Sequence, residues 1–259
     1  MMRMNSEEID HGVMKTFVIA LLLFGVSQLA LAGDFEEGLA AAGREDYATA
    51  LQKWEKAAEA GHANAQNNLG VMYDKGLGMP KNPAEALSWY HKAAEQGHVL
   101  AQYHLGIAYR DGSGDAQDYA EAFKWFRKAA KQGNAGAQNA IGALFQQGQG
   151  ISQNTKKAAK WFRKAAEQDD MEAQLNLALL YSIGEGVAQD FSVAEKWFRK
   201  AAEQGDMEAQ YFLGAMYAEG RGGPQNLEEA FKWYRKAADQ GHREAQQFIS
   251  TFDSLMNKQ

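Results

Sequence analysis

The chain has 259 residues, 46% of them hydrophobic, with a formal net charge of -6 and no cysteine. That apolar share suffices for a large core, while the acidic balance and the lack of Lys/Arg runs longer than two residues argue against a nucleic-acid partner. Without cysteine the chain has no disulfides and no thioether lipid anchor.

Read from the N-terminus, Met14-Lys15 gives a short positive head, Phe17 through Val26 an apolar stretch, and Ala30-Leu31-Ala32 a small-x-small cleavage site before Gly33. This is the pattern of an export signal over residues 1–32. The apolar stretch, about ten residues, is shorter than the roughly 20 needed to span a bilayer. The mature form is therefore expected to hold no stable membrane span. Glu7, Glu8 and Asp10 make the head ahead of Met14 net negative, which disfavours export and points to Met14 as the true start. An exported chain with neither Cys nor an Asn-x-Ser/Thr sequon suits a bacterial periplasm, or secretion from it, better than a eukaryotic secretory lumen.

Residues 33–62 read as an incomplete entry repeat with a short first helix and a tight turn at Gly43–Tyr47. A 36-residue unit then recurs five times over residues 63–242. The markers Gln66, Gln102, Gln138, Gln174, Gln210 and Gln246 stay in phase, as do Trp89, Trp125, Trp161, Trp197 and Trp233. A period of this length signals stacked supersecondary units, each burying its apolar face against its neighbours. In the unit 171–206, Ala173, Leu177 and Tyr181 recur at helical spacing. Gly184 sits where a left-handed residue closes a helix. Asp190 stands ahead of the second helix as a cap, with Asn82, Asp118, Asn154 and Asn226 in the same place. The second helix carries Ala194, Trp197, Phe198, Ala201 and Ala202 on one stripe and ends near Gln204. Residues 243–259 read as a lone capping helix.

Gly70, Gly106, Gly142 and Gly214, with Ala178, fall mid-helix, which implies close approach of two helix axes. The Trp residues are expected to fill the core there, with Gly142→Leu disruptive and Gly142→Ala mild. The second helices repeat lysines at i,i+4, read as a solvated outer face, and Arg163–Glu167, Arg199–Glu203 and Arg235–Asp239 are candidate surface pairs.

The residues Ala65-Gln66, Leu69-Gly70, Tyr73, Gly76-x-Gly78, Ala86, Trp89-Tyr90, Lys92-Ala93-Ala94 and Gln96-Gly97 carry a resemblance to the Sel1-like repeat family, a branch of the tetratricopeptide class. The resemblance covers roughly residues 34–250, and the entry repeat looks more like a plain tetratricopeptide unit. It implies an all-α, right-handed α-solenoid of helix-turn-helix repeats, its first helices lining a concave side. It implies further a non-catalytic scaffold or adaptor of the bacterial envelope, with a protein or peptide partner. One family branch is cysteine-rich and has been described as binding or hydrolysing β-lactams. A weak hydrolase of that type is an alternative, set back by the absence of cysteine here. A periplasmic regulator of a membrane sensor is another.

No catalytic motif emerges, and no cofactor or metal is expected. His62, His98 and His242 share one inter-repeat place with Asn134, Asp170 and Asp206, which points to helix capping rather than metal binding. The Gly-x-Gly pairs follow helices and recur in every unit, so they read as structural. Candidate contact residues are those that differ between repeats at fixed places. The fifth place holds Asn67, Tyr103, Asn139, Leu175 and Tyr211; the twelfth holds Asp74, Arg110, Gln146, Ser182 and Ala218. If the family geometry holds, both places point into the concave groove, with Tyr103, Leu175 and Tyr211 as exposed anchors.

Overall fold

The computed structural model describes residues 32–256, with side chains to residue 252, and their regular secondary structure is helical throughout. The expected export signal, apart from Ala32, and the start at Met14 lie outside the described residues. One compact unit, reaching Ala116, holds α1 (32–42), α2 (Tyr47–Glu59), α3 (Ala63–Lys75), α4 (Pro83–Glu95) and α5 (Val99–Asp111). The other begins at Gln117 and holds α6 (Tyr119–Lys131), α7 (Ala135–Gln147), α8 (Thr155–Ala166), α9 (Met171–Ile183), α10 (Phe191–Glu203), α11 (Met207–Glu219), α12 (Leu227–Asp239) and α13 (Arg243–Met256). From α2 onward, successive helices within each unit pack against one another. The architecture is an all-α repeat solenoid.

The ends of the helices are set locally. The second helices start at a side-chain cap: Asn82 accepts from the Glu85 amide at 3.2 Å, Asn154 from Lys157 at 2.9 Å and Asp190 from Val193 at 3.0 Å. Each satisfies an amide that the first turn leaves without a partner. The first helices start the same way, from the histidine place. His62 and His98 accept through Nδ1 from Ala65 and Ala101 at 3.3 and 3.1 Å, where Asp170 and Asp206 accept at 2.8 and 2.7 Å. Helices α3, α5, α7, α9 and α11 end on a left-handed glycine.

The core departs from expectation in one respect. Trp125 and Trp233 are buried as expected, but in α4, α6, α8 and α10 the deepest ring is the aromatic that follows the Trp. Phe162 and Phe198 are 0% and 1% exposed, whereas Trp161 and Trp197 are only half-buried. A methyl added at Gly142 would lie 2.6 Å from the Phe162 ring. The ring rests on bare backbone, so even Ala is not mild there, contrary to the sequence-based expectation. Trp54 takes the same deep place in the entry repeat and donates from Nε1 to the Phe35 carbonyl at 3.2 Å. Buried or half-buried, these Trp residues also lie under lysines three positions on, with Lys92 3.6 Å from the Trp89 ring centre and Lys236 4.0 Å from that of Trp233.

Register between repeats is held by buried amides. Gln174 is 0% exposed; it donates to the Ala166 carbonyl of α8 at 3.2 Å and accepts from Gln204, the residue closing α10, at 2.8 Å. Gln66 makes the same two bonds, to Ala58 and from Gln96, and Gln210 makes them to Ala202 and from Gln240. A buried amide left without partners costs about 1–3 kcal/mol, so these bonds fix one offset between neighbours. A second tie joins a second helix to the following first helix: His91 to Tyr109 at 2.8 Å, and Arg163 to Tyr181. Arg199 likewise donates to Tyr217 and pairs with Glu195 at 2.6 Å rather than reaching for Glu203. The second glycine of each Gly-x-Gly serves packing as well. Gly186 has φ +71°, and a Cβ there would stand 2.4 Å from the Thr155 backbone at the start of α8.

Candidate interaction surface

The fifth-place residues do not stand free. Asn67 on α3 is buried; its Nδ2 donates to Asn68 Oδ1 at 3.4 Å and its Oδ1 faces His104 Nδ1 at 3.2 Å. Asn139 on α7 is buried and accepts from Asn176 Nδ2 at 3.1 Å. Tyr103, Leu175 and Tyr211 are half-buried rather than exposed. Tyr103 lies beside His104, Leu175 packs against the cluster around Phe198, and Tyr211 stacks on His242 with centroids 4.2 Å apart. The physical reason is the spacing of neighbouring first helices. A side chain in the fifth place reaches the sixth place of the next repeat, so it is spent largely on that contact.

The twelfth place is more open. Asp74, Arg110, Gln146 and Ser182 are half-buried near the C-terminal ends of α3, α5, α7 and α9. Arg110 pairs with Asp111 at 2.7 Å, and the Ser182 hydroxyl donates back to the Leu179 carbonyl at 2.8 Å. Among the described residues no three His, Cys, Asp or Glu side chains converge as a metal site, and no helix is long and apolar enough to cross a membrane.

In the first compact unit, α3 and α5 enclose a cavity of about 450 Å³. Its lining includes Asp74 and Lys75 of α3, Tyr90 of α4, His104 and Asp111 of α5, and Lys81 from the intervening loop. His104 lies over the Tyr90 ring, centroids 4.8 Å apart. Burial pushes the His104 imidazole down to about 4, against a small opposing pull from Asp74. Burial likewise raises the Tyr90 hydroxyl, with the Asp74 charge adding to it. Both groups are therefore neutral near pH 7. Because Asn67 presents its carbonyl oxygen, His104 donates from Nδ1 and keeps an acceptor lone pair on Nε2. The second unit contains a hollow of about 280 Å³ beside Glu195 and Tyr217, but there Arg199 already neutralises the carboxylate at 2.6 Å. Neither His104 nor Tyr90 was distinguished by sequence reasoning. The available signal was the sixth place, where His104 stands among Asn68, Ala140, Asn176, Phe212 and Phe248.

The Sel1 repeat profile matches residues 26–62, 63–98, 99–134, 135–170, 172–206 and 208–242, so the entry segment matches as well. A solved protective antigen present in uropathogenic Escherichia coli strains is 38% identical, with a TM-score of 0.80 over 87% of this chain and 49% of that one. The chain thus spans about half the length of that protein. A Sel1 repeat protein from Oxalobacter formigenes is also 38% identical, with a TM-score of 0.77 over 84% of this chain and 86% of the other. A Klebsiella pneumoniae protein described as a sel1 repeat protein, 22% identical with a TM-score of 0.50 over 78% of this chain and 98% of that one, shares the fold. No curated protein matches the chain. Proteins built of these repeats are generally non-catalytic interaction scaffolds. On six consecutive repeats and two structural relatives, the chain belongs to the Sel1 repeat family.

Proposed function

We propose that the chain is a non-catalytic scaffold of the bacterial envelope that holds a protein or peptide on the face of its first helices. The observation that carries this reading is a division of labour within each repeat. The residues that join helices, such as Gln174 and Gln210 with their partners, recur unchanged. The twelfth place changes from Asp74 to Arg110, Gln146 and Ser182 and stays partly open to solvent. A fixed frame presenting varied groups is what a stacked-repeat binding surface requires. Export is supported by the basic head, apolar stretch and small-residue site between Met14 and Ala32.

The test is photocrosslinking in cells that export the protein. A crosslinking amino acid at Gln146 or Ser182 should capture one and the same polypeptide. At Lys160 or Lys196, exposed on α8 and α10, it should not. Adducts confined to the lysine positions would overturn the reading.

A further inference from the structure

The cavity between α3 and α5 has a chemistry of its own. Its less exposed polar groups include acceptors: the Asp74 carboxylate, the Nε2 lone pair of a neutral His104, and the Tyr90 hydroxyl, which can also donate. No described side chain forms an ion pair with Asp74, although Asp74 is half-buried. The other charges at the cavity are better solvated. Lys75 and Lys81 are exposed, and Asp111 is exposed and already paired with Arg110 at 2.7 Å. A half-buried carboxylate without an ion pair keeps its acceptor sites open, and a cationic donor from outside makes the strongest kind of hydrogen bond to it. The size fits as well. About 450 Å³ exceeds the volume of one long basic side chain and leaves room for part of the backbone that bears it.

The same place holds a phenyl ring twice in the second unit. Phe212 stacks on Phe198 with centroids 5.3 Å apart, and Phe248 lies 4.2 Å from Tyr234. His104 over Tyr90 is the smaller, polar version of that pair.

We propose that this cavity takes a lysyl or arginyl side chain of the partner polypeptide, with Asp74 as its counter-ion and His104 Nε2 as a second acceptor. The proposal rests on the scaffold reading and specifies the chemistry of what is held. The lining lysines suggest an anionic occupant as the competing case, but they are exposed, strongly hydrated charges, whereas Asp74 and His104 are half-buried and Tyr90 is buried.

The test uses the full chain, isotopically labelled, titrated with Nα-acetyl-lysine methylamide, its arginine counterpart and its glutamate counterpart, and read by amide NMR at Ala108 and Ser113. Saturable shifts are expected with the two basic probes and not with the acidic one. Asp74→Asn should weaken them about tenfold, the scale of one charge-assisted hydrogen bond. His104→Phe should weaken them further by removing the Nε2 acceptor. Thermal melts of both variants verify the fold, and if His104→Phe fails to fold, Asp74→Asn decides alone. Preferential binding of the glutamate probe, equal binding to Asp74→Asn, or no binding of the basic probes would overturn the proposal. Crosslinks from Gln146 or Ser182 that persist through such a result would leave the scaffold reading standing. Their absence alongside basic-probe binding would sink that reading and keep the pocket.

Discussion

The slot between neighbouring first helices is built in different ways in the two units. In the first unit, His104 over Tyr90 stands beside an open polar recess at Asp74. In the second, Phe212 on Phe198 and Phe248 on Tyr234 put paired rings in the equivalent places, while Asn176 bonds Asn139 in a third. The surrounding frame is the same in both, down to the glutamine bonds of Gln66 and Gln210. The lesson is that the frame fixes where a slot exists, and the fifth- and sixth-place side chains that meet there decide how it is filled.

The comparison breaks most severely where the frame itself is overfilled. Gly142→Leu is expected to cost about 3 kcal/mol or more, because the added atoms collide with a buried ring that can make room for one methyl but not for a Leu side chain. Gly142→Ala should cost less, about 1–2 kcal/mol, since Ala178 faces Phe198 in the next repeat and shows that the ring can tilt aside. Denaturant melts with unchanged m-values would measure both; a neutral Leu variant would refute close approach. Next comes Gln174→Leu, which removes the bonds to Ala166 and Gln204 and should cost about 1–3 kcal/mol. A smaller loss than that from an exposed Gln variant would mean the register is set by apolar packing alone.

The smallest effect sharpens the contrast between the slots. His104 is held neutral when folded, so the unfolded chain binds its proton first. Stability from this group is fully present above pH 6.5 and declines as pH falls toward about 4. Partial exposure limits the change to roughly 1–2 kcal/mol. His104→Phe, which copies the second unit, should flatten the stability profile in that window, leaving the smaller contribution of His98, also depressed by burial. An unchanged slope would show that His104 is solvated in the native state.

Much of the fold was legible because its rules are local. Asn82, Asp190 and Gly184 mark helix ends through bonds spanning three or four residues, so their spacing carries the information. The deep ring was misjudged because Trp161 and Phe162 are adjacent on one stripe, and only the neighbouring helix decides which of them meets Gly142. The candidate site was less legible still. Whether Asn67 is free or engaged depends on His104, and Asn139 on Asn176, each in the next repeat. Internal variation found the positions that differ, but difference at a place also arises when two variable residues satisfy each other.

The glutamine ties have a consequence for how such a chain can change in length. Each tie joins only adjacent modules, and each module offers the same donor and acceptor as the one before. Excising residues 171–206 would bring Gln210 onto the Ala166 carbonyl that Gln174 now uses, and Ala209 onto the Asp170 cap. The frame bonds at the splice need no new partner, although the buried Asn139 would meet Phe212 in place of Asn176. Whole modules can therefore be lost or duplicated with the frame intact, while a recess such as the one beside Asp74 travels with the junction that contains it.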